Sequence, residues 1–295
     1  MLEVNTDYWN PKRFPRLHRI VFDNTLSPKE ALELVKTSEG RVNLVNELRP
    51  LETLRVAQSP FAKVVKRRGA LVTVFGQFNM RQAGGLWREV RLRQAVNYAI
   101  NREHLIRYAT RGNGVIIPAL MPERTLGYDP DLAPYPFEPG KAQQLLREAG
   151  YPPGRPLILI ATEDLEVQAT VISKMLEQVG LTVELQMLDA STYNAKTNLG
   201  HLDQLPEQQR WDLALWTALD VVSFPALIFY KLFALNGAND WVGEEPELHQ
   251  LYERFLPTVD GEQQQGLIRQ MERHTHDQAY FLFSSSSTIP LASMR

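Results

Sequence analysis

The chain has 295 residues, 44% of them hydrophobic and 22% charged, which is the composition of an ordinary globular protein and not of a disordered one. It contains no cysteine, which excludes disulfides, thiol catalysis and zinc–thiolate sites. No apolar run approaches the roughly 20 residues that span a bilayer. The first residues show no signal-peptide pattern, so we expect either a cytosolic protein or a mature or excised piece.

The charge is unevenly distributed along the chain. Residues 1–150 contain 23 Lys and Arg against 15 Asp and Glu, whereas residues 151–295 contain 9 against 19. Such a split can indicate a nucleic-acid or membrane surface. The simpler interpretation is that the two halves neutralise each other across one fold. The densest basic cluster, at 63–68, has no interleaved aromatic residues, so we expect no nucleic-acid partner.

In the first half, the pattern predicts strands at 16–24, 42–45 and 71–78. A helix begins after Ser27, which is a suitable N-cap because Pro28 and Glu30 follow it at the favoured positions. Further helices are predicted at 51–59, at 86–101 and, capped by Asn101, up to about residue 111. The proline-rich residues 115–137 are expected to be irregular.

In the second half, predicted strands alternate with helices, and such alternation is typical of an α/β domain with parallel strands. The strands are expected at 157–161, 182–187, 211–215 and 279–283, and the helices at 139–149, 166–179, 247–255 and 262–274. A loop carrying Asp220 and Pro225 follows the third of these strands. The four serines at 284–287 are short enough to form a loop.

No phosphate-binding, nucleophile-elbow or zinc-protease motif occurs in the chain, so we expect no enzyme. His274 and His276 lie two residues apart on a predicted helix, so they point to different faces and are interpreted as polar surface residues rather than metal ligands. The acidic pairs at 163–164 and 244–245 are interpreted as solvated.

Trp216 and Asp220 form a more informative combination, because an apolar ring then lies near a group that accepts positive charge. The alternative, a buried tryptophan with an aspartate that caps a loop, is equally compatible with the sequence.

Five segments carry a resemblance to a known family, in the family's order. They lie at 5–9, 40–43, 93–102, 137–151 and 239–255, and the fourth contains Lys141, Ala142, Leu145, Leu146 and the Glu-Ala-Gly-Tyr run that ends at Tyr151. The chain resembles the family 5 extracellular solute-binding proteins, which are the oligopeptide-, dipeptide- and nickel-binding receptors of ABC importers. Departures include Asn43 and Asn101, where an aspartate is usual.

The resemblance implies an α/β fold of the type II periplasmic binding proteins, made largely of lobe II with part of lobe I. Residues 1–78 would belong to lobe I, 79–281 to lobe II, and 282–295 would return toward lobe I. The hinge would lie at 77–79 and 281–283. Most of lobe I has no counterpart, so the chain resembles a truncated member.

The resemblance also implies a solute, an oligopeptide or dipeptide, held between two closing lobes. Trp216 and Asp220 match the element that binds the peptide's amino terminus, although Asp220 comes one residue later than usual. Asn79, at the first crossing, is the third predicted substrate-binding residue. The implied partners are ABC permease subunits, the implied location is extracytoplasmic and peripheral to the membrane at most, and no cofactor or metal is implied.

Two other interpretations remain open. The missing signal peptide and the basic first half mildly favour a ligand-sensing domain of the same fold from a cytosolic transcriptional regulator. An enzyme of unknown type would need a catalytic constellation that the sequence does not show. The acidic second half favours a cationic or amine-bearing ligand, although a nickel chelate or a sugar fits the same family.

Overall fold

A computed structural model describes residues 1–13, 15–46, 48, 50–66, 72–82, 84–123, 125–198, 209–219, 225–233, 237, 239–243, 245–287 and 290–294. The chain divides into two compact units, unit 1 with Met1–Lys66 and Pro290–Arg295, and unit 2 with Arg67–Ile289. A compact unit is not evidence of a moving lobe, so the predicted lobe and hinge boundaries remain predictions.

Unit 1 begins with short elements. These are β1 (Leu2–Glu3), β2 (Arg19–Ile20), α1 (Pro28–Val35), β3 (Leu44–Val45), α2 (Pro50–Ala57) and β4 (Ala62–Lys66). The predicted cap of α1 is confirmed, because the Ser27 side chain accepts a hydrogen bond from the Glu30 amide while Glu30 binds the Ser27 amide. The predicted strand at 16–24 shrinks to the two residues of β2, which pair only with the equally short β1.

Unit 2 contains most of the secondary structure. In chain order it comprises β5 (Val72–Phe78), α3 (Val90–Ala99), α4 (Arg102–Ala109), β6 (Gly114–Val115), α5 (Pro139–Glu148), β7 (Pro156–Thr162), α6 (Glu166–Gln178), β8 (Thr182–Leu188), α7 (Ala190–Thr197), β9 (Leu213–Leu219), α8 (Pro225–Phe233), α9 (Pro246–Phe255), α10 (Gly261–Asp277) and β10 (Phe281–Ser287). The last strand of the chain, β11 (Pro290–Met294), belongs to unit 1.

One six-stranded sheet organises unit 2, in the order β6-β10-β5-β9-β7-β8. Strand β7 pairs in parallel with both β8 and β9, as the alternation predicted, while β5 pairs antiparallel with β9 and β10. Both faces of β7 are covered. Leu157 and Leu159 join the larger core, while Ile160 joins a second cluster with Trp211 and Trp241. A strand buried on both faces is continuously apolar, which explains the run at 157–161.

Three expectations about elements were wrong for identifiable reasons. The predicted helix at 86–101 is split, because Glu89 is extended and caps α3 by accepting a hydrogen bond from the Arg91 amide. The four serines continue β10, where Ser285 and Ser286 pair with Val74 and Thr73 of β5. The strand expected at 211–215 begins two residues later. Helices α7 and α8 were not predicted, because α7 has little helical periodicity and the sequence of α8 is apolar on most sides, with Lys231 as its only charged residue.

The histidines of α10 are only partly exposed. The side chain of His274 is 13% exposed and lies 3.4 Å from a Glu245 carboxylate oxygen, while His276 is 15% exposed. The His276 ring lies 4.5 Å from the ring of Tyr135. Both are therefore less exposed than the interpretation as polar surface residues expected, and they contact different neighbours.

Candidate functional site

The carboxyl ends of three parallel strands meet at one edge of the sheet of unit 2. From β7 the chain passes through α6 to β8 on one side, and then returns to β9 on the other side of β7. The connections that follow β7 and β9 therefore leave in different directions, which creates a topological switch point between them. In open α/β sheets, ligands bind in the crevice outside the carboxyl ends of strands at such a point.

Trp216 lies on β9 near this edge. It pairs in register with Phe75 of β5, and the two rings stack with centroids 6.3 Å apart. The Tyr193 ring lies 6.4 Å from the indole. Trp216 is half-buried, and its indole Nε1 donates to no acceptor among the described residues. A buried N–H without an acceptor is uncommon in native structures, and the Trp216 Nε1 is one of several buried polar atoms without a partner among the described residues.

Tyr193 connects Trp216 to the acidic residues that follow β7. Its hydroxyl donates to the Leu215 carbonyl on β9. Burial raises the pKa of Tyr193 well above the ordinary value, and the negative charge of Asp164 adds to the shift. Glu163 and Asp164 are exposed. The edge near Trp216 therefore combines an aromatic surface with two solvent-facing carboxylates, which is a suitable environment for a cation.

Asp220 lies outside the described residues, as do 221–224, and its role remains a prediction. The loop expected after β9 is shorter than the sequence indicated, because Pro225 begins α8 instead of remaining in the loop.

Asn79 follows β5 and is fully buried. Its Nδ2 donates to the carbonyls of Gln209 and Trp211, at 3.3 and 3.2 Å, and its amide donates to the Asp212 carbonyl at 3.0 Å. These bonds fasten the segment before β9 to the end of β5. A direct contact between Asn79 and ligand remains a prediction, and its role in this structure is to hold that segment in place.

Asp212 is a buried acidic residue whose hydrogen-bond network the sequence analysis did not predict. Its buried carboxylate accepts hydrogen bonds from both Arg155 terminal nitrogens, at 2.6 and 3.1 Å, from Trp87 Nε1 at 2.7 Å and from the Ile158 amide at 2.8 Å. A buried carboxylate that is paired and fully hydrogen-bonded holds its neighbours strongly in position. The sequence contained one signal for this pair. An aspartate stands beside Trp211 at the start of an apolar strand, where a buried charge requires a partner.

The segment at 93–102, which carried much of the resemblance, forms a second buried network. Arg102 donates to the carbonyls of Phe283 and Tyr135 at 2.7 and 3.0 Å, and to the Asn97 Oδ1 at 3.0 Å. The same Asn97 oxygen accepts from the Phe283 amide at 3.1 Å. Burial lowers the pKa of Arg102 to about 10. These residues fasten α3 and α4 to β10, so their role is structural and they contact no candidate ligand surface.

Glu272 on α10 fastens the proline-rich segment. Its Oε2 accepts hydrogen bonds from the amides of Leu120 and Met121, at 2.9 and 2.8 Å. Burial raises the pKa of Glu272 to about 8. The irregular segment at 115–137 is thus held by a side chain that lies about 150 residues away in sequence.

A groove of about 330 Å³ lies at the opposite edge of the sheet, near the amino-terminal ends of β7 and β8. Among its lining residues are Arg147, Tyr151, Arg155 and Gly180. Arg155 is already paired with Asp212. The groove is therefore not part of the edge that carries Trp216.

The family model "Bacterial extracellular solute-binding proteins, family 5 Middle" matches residues 1–234. The chain belongs to this family. Its members are solute-binding proteins and not enzymes, in agreement with the expectation that the missing catalytic motifs gave. No helix of the described residues is long and apolar enough to cross a membrane.

Individual relatives bind different solutes. The chain is 23% identical to the dipeptide-binding protein of Escherichia coli (strain K12) over 291 residues, which cover 96% of this chain and 52% of that protein. It is 25% identical to heme-binding protein A of Haemophilus influenzae over 206 residues, which cover 68% of this chain and 36% of the relative. It is 35% identical to the glutathione-binding protein GsiB of Pectobacterium atrosepticum over 103 residues, which cover 34% of this chain and 20% of GsiB.

Solved structures show the same fold. The periplasmic binding protein DppA from Helicobacter pylori, in complex with the peptide STSA, matches with a TM-score of 0.78 and 20% identity, covering 98% of this chain and 55% of its own. NikA from Brucella suis, in complex with Fe(III)-EDTA, matches with a TM-score of 0.78 and 19% identity, covering 97% and 59%. The predicted type II binding-protein fold is thus confirmed. Nearly all of this chain matches these proteins, but it spans only about half of their length.

Proposed function

We propose that this chain is the ligand-binding part of an ABC-importer receptor for short peptides, and that the peptide's amino terminus binds at the edge formed by the carboxyl ends of β7 and β9. The observation that carries the proposal is Trp216, a half-buried indole on β9 at the switch point, with an unpaired Nε1 among the described residues. It lies four residues before Asp220. The matches to a dipeptide-binding protein and to a peptide complex support this choice of ligand.

The charge of this edge supports an amine-bearing ligand. An ammonium group needs an acceptor of negative charge, and the contact is strong where closure excludes water. Asp220 is the proposed acceptor, while the exposed Glu163 and Asp164 raise the local concentration of cations. The indole face of Trp216 would then cover the first peptide residue.

In the complete protein we expect the ligand to be enclosed by hinge closure of two lobes, outside the cytoplasm, with delivery to permease subunits. The matched family supports this arrangement.

The test is the thermal unfolding of the full gene product with and without a pool of di- to pentapeptides. A ligand that binds only the folded state adds about 2.7 kcal/mol of stability at a hundredfold excess over Kd. We expect a clear rise in Tm, and we expect Asp220→Asn to abolish it. The matched control is Asp131→Asn, an exposed aspartate in the irregular segment at 115–137, which should leave the shift intact.

A peptide-induced shift that survives in Asp220→Asn would contradict the assigned role of that residue. A folded protein that responds to nickel chelates or sugars but to no peptide would overturn the proposed ligand. A gene that joins this chain to a DNA-binding domain would overturn the importer receptor in favour of a regulator.

A further inference from the structure

The two parallel strands at the proposed peptide edge separate before either of them ends. The pairing of β7 with β9 stops at Ile160 and Ala214. Beyond that point β9 stays paired with β5 as far as Leu219, and β7 stays paired with β8 as far as Thr162. Among the described residues, no strand pairs with β9 on the side that β7 leaves. A crevice therefore opens between β7 and β9 at the switch point.

Tyr193 contacts β9 at the first residue past this separation. Its hydroxyl donates a hydrogen bond to the carbonyl of Leu215, which directly follows Ala214. Its ring packs in the buried apolar cluster that contains Ile160 and Ala214. The same ring lies 6.4 Å from the ring of Trp216. One side chain thus contacts both strands where they part and two residues of β9 beyond that point.

The hydroxyl of Tyr193 remains a hydrogen-bond donor at neutral pH and well above it. Its burial, together with the negative charge of Asp164, raises the pKa of this hydroxyl well above the ordinary value. The bond to the Leu215 carbonyl is therefore not weakened by loss of the proton in the physiological range.

Tyr193 is one of only two buried side chains of α7. The other is Thr197, and the remaining six residues of the helix are exposed or half-buried. A helix this short is marginally stable on its own in water, so α7 depends on contacts with its surroundings. At its start, the Asp189 side chain accepts hydrogen bonds from the amides of Ser191 and Thr192, each at 3.0 Å.

The carboxyl end of α7 is also held by polar contacts. The Thr197 carbonyl accepts hydrogen bonds from Trp241 Nε1 at 2.8 Å and from Asn239 Nδ2 at 3.2 Å. With both ends held in this way, the large buried side chain between them is that of Tyr193. The helix therefore serves to hold Tyr193 in the crevice.

The indole of Trp216 has aromatic neighbours on two different elements. The ring of Phe75 stacks with it at 6.3 Å and 21°, and the ring of Tyr193 is tilted by 57°. Phe75 is on the strand that pairs with β9, whereas Tyr193 approaches from α7. A binding side chain keeps one orientation when its neighbours lock its rotamer.

We infer that Tyr193 is a positioning residue of the proposed peptide site, which holds the backbone at Leu215 and the indole of Trp216 in the orientation that covers the first peptide residue. This inference rests on the proposed function. Tyr193 does not itself touch the peptide, because its side chain is buried and its hydroxyl is bonded to Leu215. It acts by removing the cost of ordering the site when the ligand binds.

The test compares two variants that each remove one hydroxyl and keep the ring. Tyr193→Phe is the test variant. Tyr151→Phe is the matched control, because the Tyr151 hydroxyl also donates to a carbonyl, that of Arg155 at 3.3 Å, and its ring lies 6.3 Å from the ring of Trp87. The full gene product of each variant is labelled with fluorotryptophan, and fluorine NMR records the tryptophans. The resonance of Trp216 is identified by its loss in Trp216→Phe.

Without ligand, Tyr193→Phe should displace the Trp216 resonance, whereas Tyr151→Phe should leave it in place. Calorimetric titration with the pool of di- to pentapeptides should give a half-saturating concentration about tenfold higher in Tyr193→Phe, the loss expected for one net hydrogen bond of about 1.4 kcal/mol. In Tyr151→Phe this concentration should be unchanged. Both variants lose one hydroxyl, so a similar fall in Tm in the two would show that lost stability does not explain the difference in binding.

Two results would overturn the inference. One is a Trp216 resonance that Tyr193→Phe leaves in place. The other is a displaced resonance with an unchanged half-saturating peptide concentration. Failure of the proposed function gives a different pattern, because the unchanged protein would then bind none of the peptides. In that case displacement of the resonance by Tyr193→Phe would still show that Tyr193 positions Trp216.

Discussion

Units 1 and 2 differ in how much of their apolar surface is buried. Unit 2 encloses its sheet between two layers, with Leu157 and Leu159 on one side of β7 and Ile160 on the other. Its buried charges and polar groups form networks around Asp212 and Arg102. Among the described residues, unit 1 buries a core of five apolar residues and leaves Leu44 and Val65 exposed on the sheet that β3, β11 and β4 form. Unit 2 therefore encloses a much larger apolar interior than unit 1 does.

The largest effect is expected from Asp212→Ala in unit 2. The change leaves Arg155, Trp87 Nε1 and the Ile158 amide without their acceptor. Breaking a buried pair from one side costs about 3–5 kcal/mol. Urea unfolding should show a loss of this size. Glu177→Ala, which removes an exposed pair with Lys174, should cost at most about 1 kcal/mol. If Asp212→Ala loses no more stability than Glu177→Ala, unit 2 does not depend on this network.

A pair of core substitutions compares the units directly. Ile172→Ala, in α6 of unit 2, and Leu32→Ala, in α1 of unit 1, each empty a buried site. Such changes cost about 2–5 kcal/mol where the surroundings are rigid. We expect Ile172→Ala to lower the midpoint of the main unfolding transition, and Leu32→Ala to leave that transition in place while speeding hydrogen exchange in unit 1 only. Equal lowering of the main midpoint by both would show that the units unfold together.

The smallest of these effects is a pH dependence from Glu272 in unit 2. Burial raises the pKa of its carboxyl group from 4.5 to about 8, so the folded state binds the proton more tightly than the unfolded state does. The contribution of the protonated Glu272 to the free energy of unfolding is therefore fully present below about pH 4.5, and it is lost as the pH rises toward 8. Between pH 6 and 8 the loss should be about 2 kcal/mol, at 1.4 kcal/mol for each unit of pKa shift.

Glu272→Gln tests that dependence, because the amide cannot ionise but keeps an acceptor for the amides of Leu120 and Met121. Chemical denaturation across the same pH range should show a much smaller slope in the variant. A slope identical to that of the unchanged protein would assign the pH dependence to other groups.

Much of unit 2 could be predicted because its signals are local. The cap at Asn101 and the apolar run of β7 correctly predicted α4 and a buried strand. Local signals also led to some wrong predictions. The serines at the end of β10 have no strand propensity of their own, and they are in a strand because β5 supplies a partner. His276 looked polar in sequence but is enclosed by the rings of Tyr135 and Phe283.

The binding roles of Trp216, Asn79 and Asp220 remain predictions. Trp216 lies at the carboxyl edge beside β7, while Asn79 is a buried residue that fastens the segment before β9. Asp164 was interpreted as merely solvated, but its charge acts on Tyr193, which contacts the Trp216 ring. That neighbourhood depends on the pairing of β7 with β9, which no short-range pattern encodes.

By itself, the sequence determined the family, the helix starts and the strongest strands of this protein, because caps, periodicity and motifs act over a few residues. Only the tertiary structure decided that Asp212 pairs with Arg155 and that Glu272 holds the amides of Leu120 and Met121. It also decided that Leu44 and Val65 lie on one face of the sheet that β3, β11 and β4 form. Each of these facts joins residues far apart in the chain, and their proximity arises from packing, which local propensity does not specify.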